Sequence, residues 1–104
     1  MNADRVAKLR EILQQDPADS FSQYALALEY ASGGKPDEAI RQMETLIAAD
    51  PTYVPAYQQL GYLYQLGGKT AAAREAFLRG IVAAHAQSDH HAAGEMQEAL
   101  DELA

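Results

Sequence analysis

The sequence predicts an all-α protein built from repeated helix pairs, and three observations predict it. Gly33-Gly34-Lys35 returns as Gly67-Gly68-Lys69, and Asp16-Pro17 returns as Asp50-Pro51, each 34 residues further on. Aligning residues 20–53 with 54–87 superimposes Leu26 on Leu60, Tyr30 on Tyr64 and Ala39 on Ala73, with Ala27 opposite Gly61 and Met43 opposite Phe77. Between the turn signals, apolar residues recur at helical spacing. Self-similarity at a fixed period of this size marks stacked copies of one small unit.

The elements follow in order. Residues 4–15 form an amphipathic helix with Val6, Leu9, Ile12 and Leu13 on one face and Arg5, Lys8, Arg10, Glu11 and Gln15 opposite. Asp16-Pro17 ends it, because proline disfavours the helical conformation of the residue before it. Moving back one period places Val6, Leu9, Ile12 and Leu13 under Ile40, Met43, Leu46 and Ile47, so 4–16 reads as a leading half-repeat. Asp19 or Ser20 offers an oxygen to the free amides of a second helix over about 20–32. Its apolar surface, with Tyr24, Leu26, Ala27, Leu28, Tyr30 and Ala31, is wider than one neighbour requires.

Gly33 and Gly34 can take positive φ and close that helix. Pro36 suits the first position of a third helix, where its missing N–H costs nothing, and Asp37 and Glu38 favour the first turn. Ala39, Ile40, Met43, Leu46 and Ile47 make its buried stripe, and Asp50-Pro51 stops it. The unit then recurs over 54–87. Where a third Asp-Pro is due the chain reads Ala84-His85, and Ser88 or Asp89 can cap a last helix of about 90–103. Its apolar positions are Ala92, Ala93, Met96, Leu100 and Leu103; Gly94 and Glu95 break the copy. Terminal units of a stack need a polar outer face. Asp89, Glu95, Glu98, Asp101 and Glu102, with no Lys or Arg over 85–104, suit such a solvated cap, an acidic docking surface being the alternative reading.

Bulk properties narrow the function. At 104 residues, 48% of them hydrophobic, the chain holds one small domain with a continuous core. No cysteine means no disulfide, thiolate metal site or cysteine nucleophile. A net charge of -7 argues against nucleic acid and anionic membranes, which demand basic surfaces. The charged first residues, from Asp4 to Glu11, carry no apolar signal core, so a cytoplasmic location is expected.

The repeated residues resemble the tetratricopeptide repeat, a 34-residue helix–turn–helix. The second copy matches with Tyr57 at the signature tryptophan, then Leu60, Gly61, Tyr64, Ala73, Phe77 and Gly80; His85 replaces the closing proline. The first matches with Gln23, Leu26, Ala27, Tyr30, Ala39, Met43 and Pro51. Small residues at Ala27, Gly61, Ala39 and Ala73 let the two helices of a unit approach. The resemblance covers 4–87 and is nearest to small stand-alone bacterial members. It implies a right-handed superhelical array of about five helices: a half-repeat at 4–16, repeats at 20–53 and 54–87, and a cap at 88–104.

It also implies a non-catalytic module whose concave groove binds a peptide or helix of a partner protein. The groove-facing places here are Phe21, Tyr24, Leu28 and Ser32, then Gln58, Tyr62, Gln65 and Leu66. Chaperone-binding members hold a terminal carboxylate with groove lysines, arginines and asparagines. Neutral residues stand at those places here, so that clamp is not expected. A homo-oligomer mating through the groove or an exposed end is the alternative.

Chemistry is not expected. Ser20, Ser22, Ser32 and Ser88 lack a nucleophile elbow, and Gly33-Gly34-Lys35 lacks Walker spacing and a preceding strand. His90 and His91, adjacent on a helix, point about 100° apart. With His85 they read as surface residues, and no metal or other cofactor is expected.

Overall fold

The computed structural model describes residues 1–103; the end of the expected 88–104 segment, Ala104, lies outside them. Six helices and no strand are found among the described residues, against the expected count of about five. They are α1 (Ala3–Gln15), α2 (Ser20–Ser32), α3 (Pro36–Ala49), α4 (Val54–Leu66), α5 (Thr70–Ala86) and α6 (His90–Asp101). No helix among these residues is long and apolar enough to cross a membrane. The chain forms two compact units, residues 1–50 with α1 to α3 and residues from 51 onward with α4 to α6.

Local chemistry sets the boundaries. Asn2, Asp19 and Asp89 cap α1, α2 and α6, each accepting from a backbone N–H three residues on, at 3.0 to 3.1 Å. After α2 the chain turns through Gly34 at φ 75°, with Gly34 N–H donating to the Ala31 carbonyl and Lys35 N–H to the Tyr30 carbonyl. The same pair of bonds follows α4, with Gly68 at φ 74°. This closure needs a left-handed residue just past the helix, which glycine adopts without steric penalty. The α5–α6 turn uses the same hydrogen bonds, Ser88 to His85 and Asp89 to Ala84, but Ser88 takes the left-handed place at φ 57°. The Asp-Pro stops work differently: Asp16 and Asp50 leave the helical basin at ψ 86° and 80° while their N–H groups still reach Ile12 and Leu46.

In the first unit, Leu26, Ala27, Tyr30, Ala39, Met43, Leu46 and Ile47 are buried, joined by Val6 and Leu9 from α1. Ile12 departs from the expected stripe: it is 39% exposed. Gln23 donates from Nε2 to the Pro17 carbonyl at 2.6 Å, and in the second unit Tyr57 donates from its hydroxyl to the Pro51 carbonyl at 2.7 Å. Two different side chains therefore tie the start of a helix back to the proline six residues earlier.

The second unit packs α5 between α4 and α6. Phe77, fully buried, lies over Gly61: a Cβ there would come within 2.4 Å of its ring. Gly80 sits where all three helices meet, its missing Cβ falling 2.6 Å from the Tyr57 Cβ and 2.4 Å from the Met96 sulfur. Ala93, Met96 and Ala99 are the buried residues of α6; Ala99 was absent from the expected stripe, and Ala92 and Leu100 are half-buried.

Candidate protein-interaction surface

Three of the four places on α4 expected to face a partner lie on or beside one furrow. Its cavity is about 170 Å³, lined by Tyr62 and Gln65 of α4 and by Glu95, Glu98, Ala99 and Glu102, four residues contributed from α6 and just past it. Gln58 borders it, its Nε2 donating to Glu95 at 3.1 Å and to the Tyr62 hydroxyl at 3.3 Å. The Tyr62 ring stands edge-on to Phe77, centroids 5.4 Å apart at 70°, so the core fixes the furrow's aromatic wall. Leu66, 85% exposed, is not among the lining residues.

The three glutamates are not among the places expected to face a partner, although an acidic docking surface is the alternative reading of this helix. Glu95, Glu98 and Glu102 follow one another at spacings of three and four, a single helical face. That spacing was the available signal, but a solvated cap explains it equally well until α6 is seen beside α4. The volume is below that of usual small-molecule sites, about 300–1,000 Å³, and suits a side chain from another polypeptide.

On α2 the four expected residues share one side at intervals of three or four. Phe21 is 69% exposed and Leu28 is also exposed, while Tyr24 is half-buried. Ser32 directs its hydroxyl to the Glu29 carbonyl of its own helix, 3.1 Å away. An exposed phenylalanine and leucine on one helix side form an apolar contact strip.

Glu29, on a neighbouring side of α2, is a buried carboxylate that receives the start of α1. It accepts from the Asn2 N–H at 3.0 Å and from Arg5 Nη1 at 2.7 Å. The Asn2 N–H, followed by Arg5, holds its carboxyl below the usual glutamate range, against the opposing effect of burial. A depressed native pKa stabilises the fold above the unfolded value and loses that contribution as pH falls through the native one. Glu29→Gln is therefore expected to be less stable than wild type at neutral pH, with the gap closing through the carboxylate range on acidification. Urea midpoints of both proteins across that range test this; a pH-independent gap would remove Glu29 as the titrating group.

The Gly-Lys turns have no phosphate-loop geometry, since the N–H groups of Gly34, Lys35, Gly68 and Lys69 are all bound to helix carbonyls. The three histidines are exposed, and the adjacent His90 and His91 turn to different neighbours. His90 pairs with His85, Nδ1 to Nδ1 at 3.3 Å, and His91 contacts Glu95 at 2.5 Å. No group of three or more metal-ligating side chains occurs among the described residues.

These features define a helical-repeat protein with an outward-facing furrow. The tetratricopeptide repeat matches residues 22–53 and again residues 43–75. A tetratricopeptide repeat domain protein from Salinibacter ruber, solved in solution, is 33% identical, with a TM-score of 0.80 over 85% of this chain and 89% of that one. Protein BPP2914 from Bordetella parapertussis is 30% identical, with a TM-score of 0.82 over 99% and 89%. The TPR repeat-containing protein PA0015 of Pseudomonas aeruginosa is 26% identical across 91% of this chain and 90% of its own length. The chain belongs to the tetratricopeptide-repeat family, whose members are in general protein–protein interaction modules.

Proposed function

We propose that this chain is a non-catalytic interaction module of the cytoplasm that binds a peptide or helix of a partner protein, α2 and α4 each offering a contact face. Phe21, Tyr24, Leu28 and Ser32 serve on α2, and Gln58, Tyr62, Gln65 and Leu66 on α4. The carrying observation is the furrow, where Tyr62 and Gln65 meet the carboxylates of α6. Tyr62 offers a rigid ring with a hydroxyl at its tip, a combination favoured at interfaces because little conformational entropy is lost. Gln58 and Gln65 can pair with the backbone of an extended or helical segment. Three glutamates and no cation line the furrow, so an acidic segment is repelled and a neutral or basic one accepted. The same repulsion disfavours nucleic acid.

Selection of a random peptide library on the purified protein tests this reading. Enriched peptides are expected to be poor in Asp and Glu and to bind Tyr62→Ala at least tenfold more weakly, the loss of about 1.4 kcal/mol or more typical of a central aromatic contact. Enriched peptides that bind the Tyr24→Ala/Tyr62→Ala protein as tightly as wild type would refute the assignment. Sedimentation velocity over a wide concentration range, run alongside, decides the self-association alternative, which a persistent monomer excludes.

A further inference from the structure

We propose that His85 and His90 together form a binding site for a divalent transition ion of the zinc, nickel and copper class. The partner-binding reading assigns these residues no role, and the inference is independent of it. The left-handed Ser88 turn reverses the chain after α5 and sets the first residue of α6 against the last turn of α5. Two imidazoles five residues apart thereby face each other, Nδ1 atoms 3.3 Å apart and ring centroids 5.5 Å apart at 47°.

That separation is the useful quantity. With Zn–N bonds of about 2.0–2.1 Å, two nitrogens on a tetrahedral ion lie about 3.3–3.4 Å apart. The Ser88 turn therefore brings both donors within reach of one shared ion, the exact spacing being set by the two exposed rings. The two nitrogens now point at one another, one donating to the other. An ion seated to one side of that line requires each ring to turn, and both residues are exposed, so turning meets no core packing. Each imidazole then carries its proton on Nε2 and presents the Nδ1 lone pair.

Imidazole pairs select Zn, Ni and Cu over Mg and Ca, which prefer oxygen donors. Water completes the coordination shell, as the protein supplies two donors. His91 stays outside the site because it is engaged with Glu95. Residues 85–104 carry five carboxylates and no Lys or Arg, so the local field favours a cation over the unbound pair.

Calorimetric titration of tag-free protein with Zn²⁺, Ni²⁺ and Mg²⁺ tests the proposal, with thermal melts confirming that each variant is folded. Saturable one-to-one binding of Zn²⁺ and Ni²⁺ is expected, with no heat from Mg²⁺. His85→Ala and His90→Ala should each abolish it, and His91→Ala should leave it unchanged. In the ¹⁵N spectrum, the Nδ1 resonances of two histidines should shift together. Absence of Zn²⁺ binding in wild type, or binding that survives either single alanine variant or depends on His91, overturns the assignment.

Discussion

Phe77→Ala is expected to destabilise the protein by about 3–5 kcal/mol, the usual loss for a fully buried aromatic ring. The ring fills the space that Gly61 leaves open and supports Tyr62 from beneath, so its removal loosens the furrow as well as the core. The first unit solves the same packing problem with different residues. Ala27 and Met43 occupy the equivalent places and both are fully buried. Where the large residue gains volume, the small one gives up its methyl.

This compensation can be measured as a cycle. Gly61→Ala alone drives a Cβ into the Phe77 ring and should cost about 1–3 kcal/mol. Combined with Phe77→Met it recreates the first unit's pair, and the double variant should lie closer to wild type than the summed singles, by a coupling of about 0.5–3 kcal/mol. Recovery will be incomplete because methionine cannot replace the edge-on contact with Tyr62. Additive urea-denaturation values across the cycle would mean that the two positions do not share one space.

The repeat was legible because its signals are local. Gly34, Gly68 and the Asp-Pro pairs act on their own backbone, so their effect needs no knowledge of neighbours. The helix limits of α2 and α3 follow from those same residues. At the third turn the Asp89 cap and the start of α6 were legible, but not its closure, since a serine takes a conformation that sequence reasoning reserves for glycine or asparagine. Its consequence, the His85–His90 pair, was hidden for the same reason. Glu29 escaped notice because its partners, the Asn2 N–H and the Arg5 guanidinium, come from the start of α1, which no pattern within α2 advertises. On the surface, Tyr62 and Gln65 were legible through the resemblance, whereas Glu95, Glu98 and Glu102 were legible only as an acidic face. A carboxylate face on a terminal helix looks the same whether it meets water or borders a furrow, and only packing decides between them.

That packing turns on Gly80, where substitution should reach from the core to the binding surface. Gly80→Ala places a methyl 2.4 Å from the Met96 sulfur and 2.6 Å from the Tyr57 Cβ. Met96 can swing aside, being unbranched and flexible. The Tyr57 Cβ cannot, because it moves only with the α4 backbone and its hydroxyl is tied to Pro51. The clash must therefore push α4 and α5 apart, at about 1–3 kcal/mol. Since α6 packs on α5 while Tyr62 rides on α4, the two walls of the furrow separate together. Gly80→Ala is thus expected to weaken a peptide selected on the wild-type furrow, although residue 80 touches no solvent-facing group. Adding Met96→Ala should not restore stability, because it relieves the contact that was already yielding. Full recovery in that double variant would show that Met96, and not Tyr57, sets the limit at this junction, and the furrow would then be insensitive to the α4–α5 spacing.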